Sequence, residues 1–280
     1  MKKLLVFILF LVIGVNQLYA QNKLTIVTYN VWYDNPDKAE LTWLDRKAGV
    51  IQTLEEIEPD IFCVQEALHH QVCDLEFSGY EHFGVGRDDG KKAGEYSAIF
   101  YDTLRFQLLD GGNFWLSETP EVPGSLGWDA ACVRIATWVK LIDVQSRISF
   151  FVFNTHFDHV GDTARLESAR LIKQKVKEIA KDSPVILSGD FNCLKNSGPY
   201  LKLIQSEPAL KDARYIANEL TTAPQYSFVG SDFEGENGDI IDHIFVSEGL
   251  TVLTYFIDEN CWNYKCPSDH LPVVAEIIFR

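Results

Sequence analysis

The sequence predicts an α/β fold built on two similar sheets packed face to face, and two observations carry that reading. Residues 23–66 and 150–192 echo each other as strand, helix, strand, acid, the order of a layered α/β domain. Several apolar runs end in the same narrow set of residues: carboxylates, carboxamides and histidines. The clearest is Pro184-Val185-Ile186-Leu187-Ser188-Gly189-Asp190-Phe191-Asn192. It opens as a strand buried on both faces and leaves Asp190 and Asn192 two apart, aimed at one point. Gly189 leaves room there for a close approach by backbone, metal or substrate.

The first twenty residues are set apart. Met1-Lys2-Lys3, an apolar stretch to Val15, and Tyr19-Ala20 before Gln21 read as a cleaved secretory signal over 1–20, with an uncleaved anchor as the alternative. No later stretch is long and apolar enough for a transmembrane helix. Residues 21–280 suit one domain, expected to be monomeric and exported, periplasmic or extracellular. Without Lys2 and Lys3 the basic count falls from 25 to 23 against 40 acids, a net charge near −17. No basic patch for gripping a nucleic-acid backbone is visible, so extended nucleic acid is disfavoured as a partner and a small phosphorylated substrate is favoured. Export permits disulfides, with Cys261 and Cys266 the nearest pair. No Cys-x-x-Cys or His-x-x-x-His spacing supports zinc.

Taken in order, residues 23–29 are β-branched and partly alternating, a strand ending at Asn30. Leu44, Ala48, Ile51, Leu54 and Ile57 set a helix over 45–58 that Pro59 stops. A short buried strand, 61–64, runs into Gln65-Glu66. Residues 84–94 form a Gly- and charge-rich loop; 97–101 and 105–109 are strands around a turn. Residues 110–131 read as a long irregular loop carrying Trp115 and Trp128, which either bind substrate or pin the loop to the body. Strands at 135–142 and 148–154 form a hairpin ending Asn154-Thr155-His156. Asp162 or Thr163 caps a helix to about residue 181. Residues 199–210 read as a further helix, 227–238 as an acidic loop, 239–246 as a strand with Asp242 inside it, and 273–279 as a final strand after Pro267-Ser268-Asp269-His270.

The strand ends gather Asn30, Glu66, His156, Asp190, Asn192, Asp242, Asp269 and His270. Singly, each has an ordinary explanation as a cap, loop residue or solvated charge. Together, and without thiolates, they match the ligands a hard divalent cation such as Mg²⁺ accepts. No Gly-x-Ser-x-Gly elbow offers a serine hydrolase instead.

These motifs, Asn30, Gln65-Glu66, Asn154-Thr155-His156, Gly189-Asp190-Phe191-Asn192, Ile241-Asp242-His243-Ile244 and Ser268-Asp269-His270, resemble in order those of the endonuclease/exonuclease/phosphatase superfamily, the DNase I-like fold. The middle of the chain, Gly94-Glu95-Tyr96 through Phe114-Trp115-Leu116-Ser117-Glu118-Thr119-Pro120 to Arg134, looks like a bacterial exported branch of it. The resemblance implies a four-layer α/β/β/α sandwich with the site at one rim of the two sheets. It implies Mg²⁺ or Mn²⁺ at Glu66, helped by Asn30 and Asp269. It makes either Asp190 or His270 the base, with Asp242 behind His270, and gives Asn192, His156 and Arg134 to the phosphate. Glu95, Trp115 and Trp128 are further substrate-side candidates. His69, His70 and Arg165 read as surface residues, and His243 should face away from Asp242. The implied activity is a metal-dependent phosphoesterase. The alternatives are a secreted nuclease and a non-catalytic binding member of the fold.

Overall fold

In this computed structural model, the described residues are 23–35, 37, 41–77, 79–205, 207–220, 224–230, 239–259 and 266–280. The expected signal over 1–20, Cys261 and most of the acidic loop at 231–238 lie outside them. The elements in order are β1 (Lys23–Asn30), α1 (Trp43–Ile57), β2 (Ile61–Gln65), α2 (His69–Asp74), β3 (Tyr80–Phe83), β4 (Ala98–Asp102) and β5 (Phe106–Trp115). There follow β6 (Ile135–Asp143), β7 (Ser149–His156), α3 (Asp162–Ala180), β8 (Val185–Asp190), α4 (Gly198–Gln205) and β9 (Leu210–Asp212). The chain closes with α5 (Ala213–Ile216), β10 (Glu219–Leu220), β11 (Asp242–Ser247), β12 (Leu250–Ile257) and β13 (Val273–Phe279).

Two mixed sheets result, with strand orders β10-β12-β13-β1-β2-β4-β3 and β5-β6-β7-β8-β11-β9. The internal echo is real at the level of topology. β1 and β2 pair in parallel, flanked by antiparallel β13 and β4. β7 and β8 pair in parallel, flanked by antiparallel β6 and β11. Each parallel pair needs a crossover helix, α1 in one unit and α3 in the other.

Period-two alternation divides each strand between two cores. Leu24, Ile26, Ile61 and Cys63 meet Val152, Ile186, Ile244 and Val246 between the sheets. The alternate residues Val27, Phe62 and Val64 pack on α1 through Val50 and Leu54. On the other side, Phe153, Leu187 and Phe245 pack on α3 through Ala169, Ile172 and Val176. Helix, sheet, sheet and helix give the four-layer sandwich. Among the described residues no helix is long and apolar enough to cross a membrane.

Three local expectations are corrected. β5 runs on to Trp115 through Gly111 and Gly112, where the sequence reads as loop. A Cβ at Gly111 would sit 2.8 Å from the Phe83 ring and one at Gly112 2.8 Å from the Trp138 indole, so glycine here makes room for aromatic cover. The α3 N-terminus is capped neither by Asp162 nor by Thr163: Asp129 accepts from Ala164 N at 2.6 Å and Thr163 N at 3.2 Å. The helix expected over 199–210 stops at Gln205 and gives way to β9. Cys266 is disulfide-bonded, whereas Cys63, Cys73, Cys132 and Cys193 are free thiols.

Candidate active site

The face of each strand that looks between the sheets carries apolar residues in the middle and polar ones toward one rim. On β1 the sequence of that face is Leu24, Ile26, Thr28, Asn30; on β8 it is Ile186, Ser188, Asp190. The first polar layer is structural. Gln65 Nε2 donates to Thr28 Oγ1 at 3.0 Å and to Asn154 Oδ1 at 2.7 Å. Asn154 Nδ2 crosses from the second sheet to the carbonyls of Val64 (2.9 Å) and Ala98 (2.8 Å) in the first. The sheets are thus pinned to each other directly beneath the rim.

Above that layer the scattered polar residues converge. Asn30 Nδ2 lies 3.0 Å from both Glu66 Oε1 and Asp190 Oδ2, and 3.4 Å from His270 Nε2. Its Oδ1 accepts from Trp32 N at 3.1 Å. Asn30 turns its nitrogen to the carboxylates and holds them in place. The turn that delivers Glu66 is left-handed, φ 66°, as is Asn192 at 44°. Glu66 Oε2 also accepts from Tyr33 N at 3.2 Å.

Asp190 ends β8 beside His156 because β7 and β8 run in parallel register, with Thr155 opposite Gly189 and His156 opposite Asp190. A Cβ at Gly189 would come within 2.1 Å of the Thr155 carbonyl oxygen; the close approach that glycine permits is by backbone. Asn192 N donates to Asp190 Oδ1 at 2.9 Å. Asp190 is fully buried and lies 3.3 Å from His156 Nε2 and 3.7 Å from His270 Nε2. Burial and the nearby Asp242 carboxylate push its pKa up to about 7.

His270 Nδ1 faces Asp242 Oδ2 at 2.8 Å, and that oxygen also accepts from Ser227 Oγ at 2.6 Å. Burial alone would lower the imidazole's pKa, but Asp242, Asp190 and Asp269 push it up to about 10. These carboxylates favour the imidazolium form of His270, whose Nε2 lies 3.7 Å from Asp190 Oδ2. His156 is the opposite case. Burial together with Arg134 and Arg87 drives its pKa well below the usual histidine range, so it is neutral. His243 faces the other side of β11, where its Nδ1 lies 3.2 Å from Asp212 and its Nε2 3.2 Å from the Cys193 carbonyl.

These groups line an open pocket of about 420 Å³. Glu66, Glu95, Arg134, His156, Asp190, Asn192, Asp269 and His270 all reach it. Burial raises Asp269 to about 6 and Glu95 to about 7. Trp115 and Trp128 do not reach it. Trp115 is buried with its Nε1 donating to the Arg87 carbonyl at 2.6 Å, which ties the loop to the body, and Trp128 N donates to Glu118 within the loop. His70 pairs on the surface with Asp34, and Arg165 with Asp162.

Pocket residues absent from the sequence reading are Trp32, Tyr33, Arg87 and Phe228. All sit on loops, where periodicity carries no information; Arg87 stands inside a run of acids and glycines that reads as solvated loop. Arg46 was also missed. Buried in α1, it donates to the carbonyls of Val31, Trp32 and Pro267, each at 2.8 Å, tying the loop after β1 to the loop that carries His270.

The donor set suits a hard divalent ion. Glu66 and Asp269 present carboxylates to the pocket while Asp190, Asp242 and His270 form a tight triplet behind them. Asp242 is fully buried and its engaged oxygen serves His270 and Ser227, so within the triplet Asp242 is committed to orienting His270. Oxygen ligands with room for water and a phosphate oxygen are what Mg²⁺ or Mn²⁺ requires. A second cluster, Cys132, Asp158 and His159, is not comparable. Asp158 already accepts from the backbone N–H groups of Ala131, Cys132, Val160 and Gly161, which hold its pKa at about 2 despite burial.

The model of the Endonuclease/Exonuclease/phosphatase family matches residues 27–270. An endonuclease/exonuclease/phosphatase of Bacteroides vulgatus superposes with a TM-score of 0.88 at 40% identity, covering 92% of this chain and 99% of that one. A mannosyl-6-phosphatase of Bacteroides thetaiotaomicron superposes at 0.84 with 37% identity, covering 91% and 100%. The uncharacterized protein L388 of Acanthamoeba polyphaga mimivirus is 32% identical over 260 residues, 85% of this chain and 92% of its own. The match spans only 30% of mimivirus protein R895 and 42% of Drosophila nocturnin. Family members are phosphoesterases or nucleases and generally use a divalent metal. With the family model spanning both sheets and the rim between them, the chain belongs to the endonuclease/exonuclease/phosphatase family.

Proposed function

We propose that this chain is an exported, monomeric, divalent-metal-dependent phosphoesterase acting on a small phosphorylated substrate. The observation that carries the reading is the placement of Asp190 between Asn30 and the His270–Asp242 pair, in a pocket that also holds Glu66 and Arg134. The mannosyl-6-phosphatase likeness favours a sugar-linked ester, and the charge near −17 after loss of Lys2 and Lys3 disfavours extended nucleic acid. Export rests on the basic, apolar and small-residue pattern of residues 1–20.

In the proposed reaction, Asp190 takes the proton from the attacking water. Its raised pKa matches a base working near neutrality, and Asn30 Nδ2 and Asn192 N hold its two oxygens in place. The water oxygen bonds to phosphorus as the ester P–O bond breaks, and the leaving oxygen carries away the bonding pair. His270 is unsuited to be the base because Asp242 keeps it protonated; its Nε2–H instead donates to the charge that develops on the phosphoryl oxygens. Arg134 donates to the same group, while Asn192 Nδ2, 3.1 Å from His156 Nε2 and 3.0 Å from the Phe157 carbonyl, fixes neutral His156 beside it. A Mg²⁺ or Mn²⁺ held by Glu66 and Asp269 would offset phosphate charge and polarise a non-bridging oxygen.

The reading is tested by assaying the purified protein on phosphomonoesters, nucleotides, phospholipid head groups and plasmid DNA, with Mg²⁺, with Mn²⁺ and with chelator. Turnover of small phosphoesters only with metal is the expected result. Turnover of none of these substrates would sink the proposal.

A further inference from the structure

Beyond Arg134, a second guanidinium faces the pocket from a loop that the proposed mechanism does not use. Arg87 sits in the turn between β3 and β4, and that turn is rigid for its length. Arg87 N donates to the Glu95 carbonyl, Asp88 N to the Ala93 carbonyl and Gly86 N to the Lys91 carbonyl, each at 3.0 Å. Asp89 Oδ1 accepts from Lys91 N and Ala93 N. The buried Trp115 indole reaches across to hold the Arg87 carbonyl at 2.6 Å, and a Cβ at Gly90 would lie 3.1 Å from the Trp115 ring and 3.2 Å from Pro123. Trp115 thus connects to the site after all, as a brace for Arg87.

The side chain is aimed as firmly as its backbone. Arg87 Nη1 donates to Glu95 Oε2 at 2.6 Å, and the pair is mostly buried. Glu95 fixes one edge of the planar fork, while Nη2 takes no acceptor among the described residues and the side chain lines the pocket. Arg134 is similar: Nη2 contacts His159 Nδ1 at 3.0 Å and the residue is 5% exposed. Arg87, Glu95, Arg134 and His156 also line a small recess beside the pocket, so the two guanidiniums share one corner of it, next to Asp190's neighbour His156. Two oriented guanidinium edges in one corner match an anion with several equivalent oxygens.

We propose that Arg87, braced by Trp115 and Glu95, is a phosphate-gripping residue that makes the site selective for the dianion of a phosphomonoester over a phosphodiester. A monoester offers three non-bridging oxygens and two charges; a diester offers two oxygens and one charge. Arg134 and Arg87 supply one guanidinium edge for each of the monoester's two charges. The inference deepens the phosphoesterase reading and rests on it for the reaction, but not for the binding of the anion.

The experiment compares wild type, Arg87→Met and Arg87→Lys, each confirmed folded by circular dichroism. Two readouts are taken: kcat/KM on 4-nitrophenyl phosphate and on bis(4-nitrophenyl) phosphate with Mg²⁺, and binding of orthophosphate by calorimetry. Arg87→Met should lower monoester kcat/KM by about 10- to 100-fold, the worth of a charged hydrogen bond, and change diester turnover by less than about threefold on the same reasoning. Arg87→Lys, which keeps charge without the fork, should fall between. Orthophosphate binding should weaken by at least about tenfold in Arg87→Met. Equal losses on both esters, or unchanged orthophosphate binding, would overturn the inference. Weakened orthophosphate binding in a protein whose wild type turns over neither ester would uphold Arg87 as an anion ligand and sink the hydrolase reading instead.

Discussion

Just past the end of β2, Glu66 lies partly buried on the pocket wall; at the end of β8, Asp190 is 1% exposed. The two carboxylates close units of the same topology, β1-α1-β2 and β7-α3-β8, and Asn30 Nδ2 bridges them at 3.0 Å on each side. Burial separates their chemistry. A carboxylate left in contact with water can take up a hydrated ion, while one sealed among Asp242, His156 and His270 has its pKa raised toward neutrality and becomes a proton acceptor. On the proposed reading, one duplicated architecture supplies an ion-facing end from the first sheet and a proton-handling end from the second.

If that division holds, the largest effects come from the second unit. Asp190→Ala and His270→Ala should each lower kcat by at least about 10²-fold, the lower bound for a general base, while remaining folded by circular dichroism. Glu66→Gln should show a different signature: turnover recovered in part at high Mg²⁺, with the activating concentration shifted upward, which a metal titration of Asp190→Asn should not reproduce. Matching titration curves for the two variants would erase the contrast between the ends.

The pH dependence of stability follows from the same burial. Asp190 is raised from 3.8 to about 7, so the folded state favours its protonated form. That contribution is complete below the unfolded value and is lost as pH rises through about 7. His270 is raised from 6.5 to about 10, so its contribution is lost at higher pH, between those values. In chelator, denaturant midpoints should therefore fall as pH climbs from about 4 to about 10 on these two shifts. Asp190→Asn should flatten the lower limb and His270→Gln the upper one.

Beneath the rim the expected effect is on stability. Asn154→Ala strips partners from the Val64 and Ala98 carbonyls and from Gln65 and should cost about 3 kcal/mol in urea unfolding. The smallest effect is Asp129→Ala, which removes the α3 cap at a cost of about 1 kcal/mol.

Much of this was legible in the sequence. The final strand is expected over 273–279 and found there, because a buried strand bounded by Pro272 has strong local signals. The site residues were legible because strand parity fixes direction: Asn30, His156, Asp190 and Asp242 all fall on the face that looks between the sheets. What stayed hidden depends on tertiary partners. β3 is short and half-exposed, and β9 is three residues long, too brief for periodicity to register. Gly111 and Gly112 signal a turn until Phe83 and Trp138 are seen to cover them. Trp115 gave no sign that its partner is the Arg87 carbonyl, and Asn30 none of which amide atom it turns inward. Asp129 caps a helix 34 and 35 residues away, beyond any local capping pattern.

Steady-state turnover of a phosphomonoester by chelator-stripped protein, titrated with Mg²⁺ in parallel for wild type and Asp190→Ala, puts the ion and the base in one assay. The expected result is no hydrolysis until Mg²⁺ is added, a saturable rise in wild type, and a flat line in Asp190→Ala at every concentration. Undiminished hydrolysis in chelator, or full rates from Asp190→Ala, would contradict the assignment of this rim as a metal-dependent phosphoesterase site.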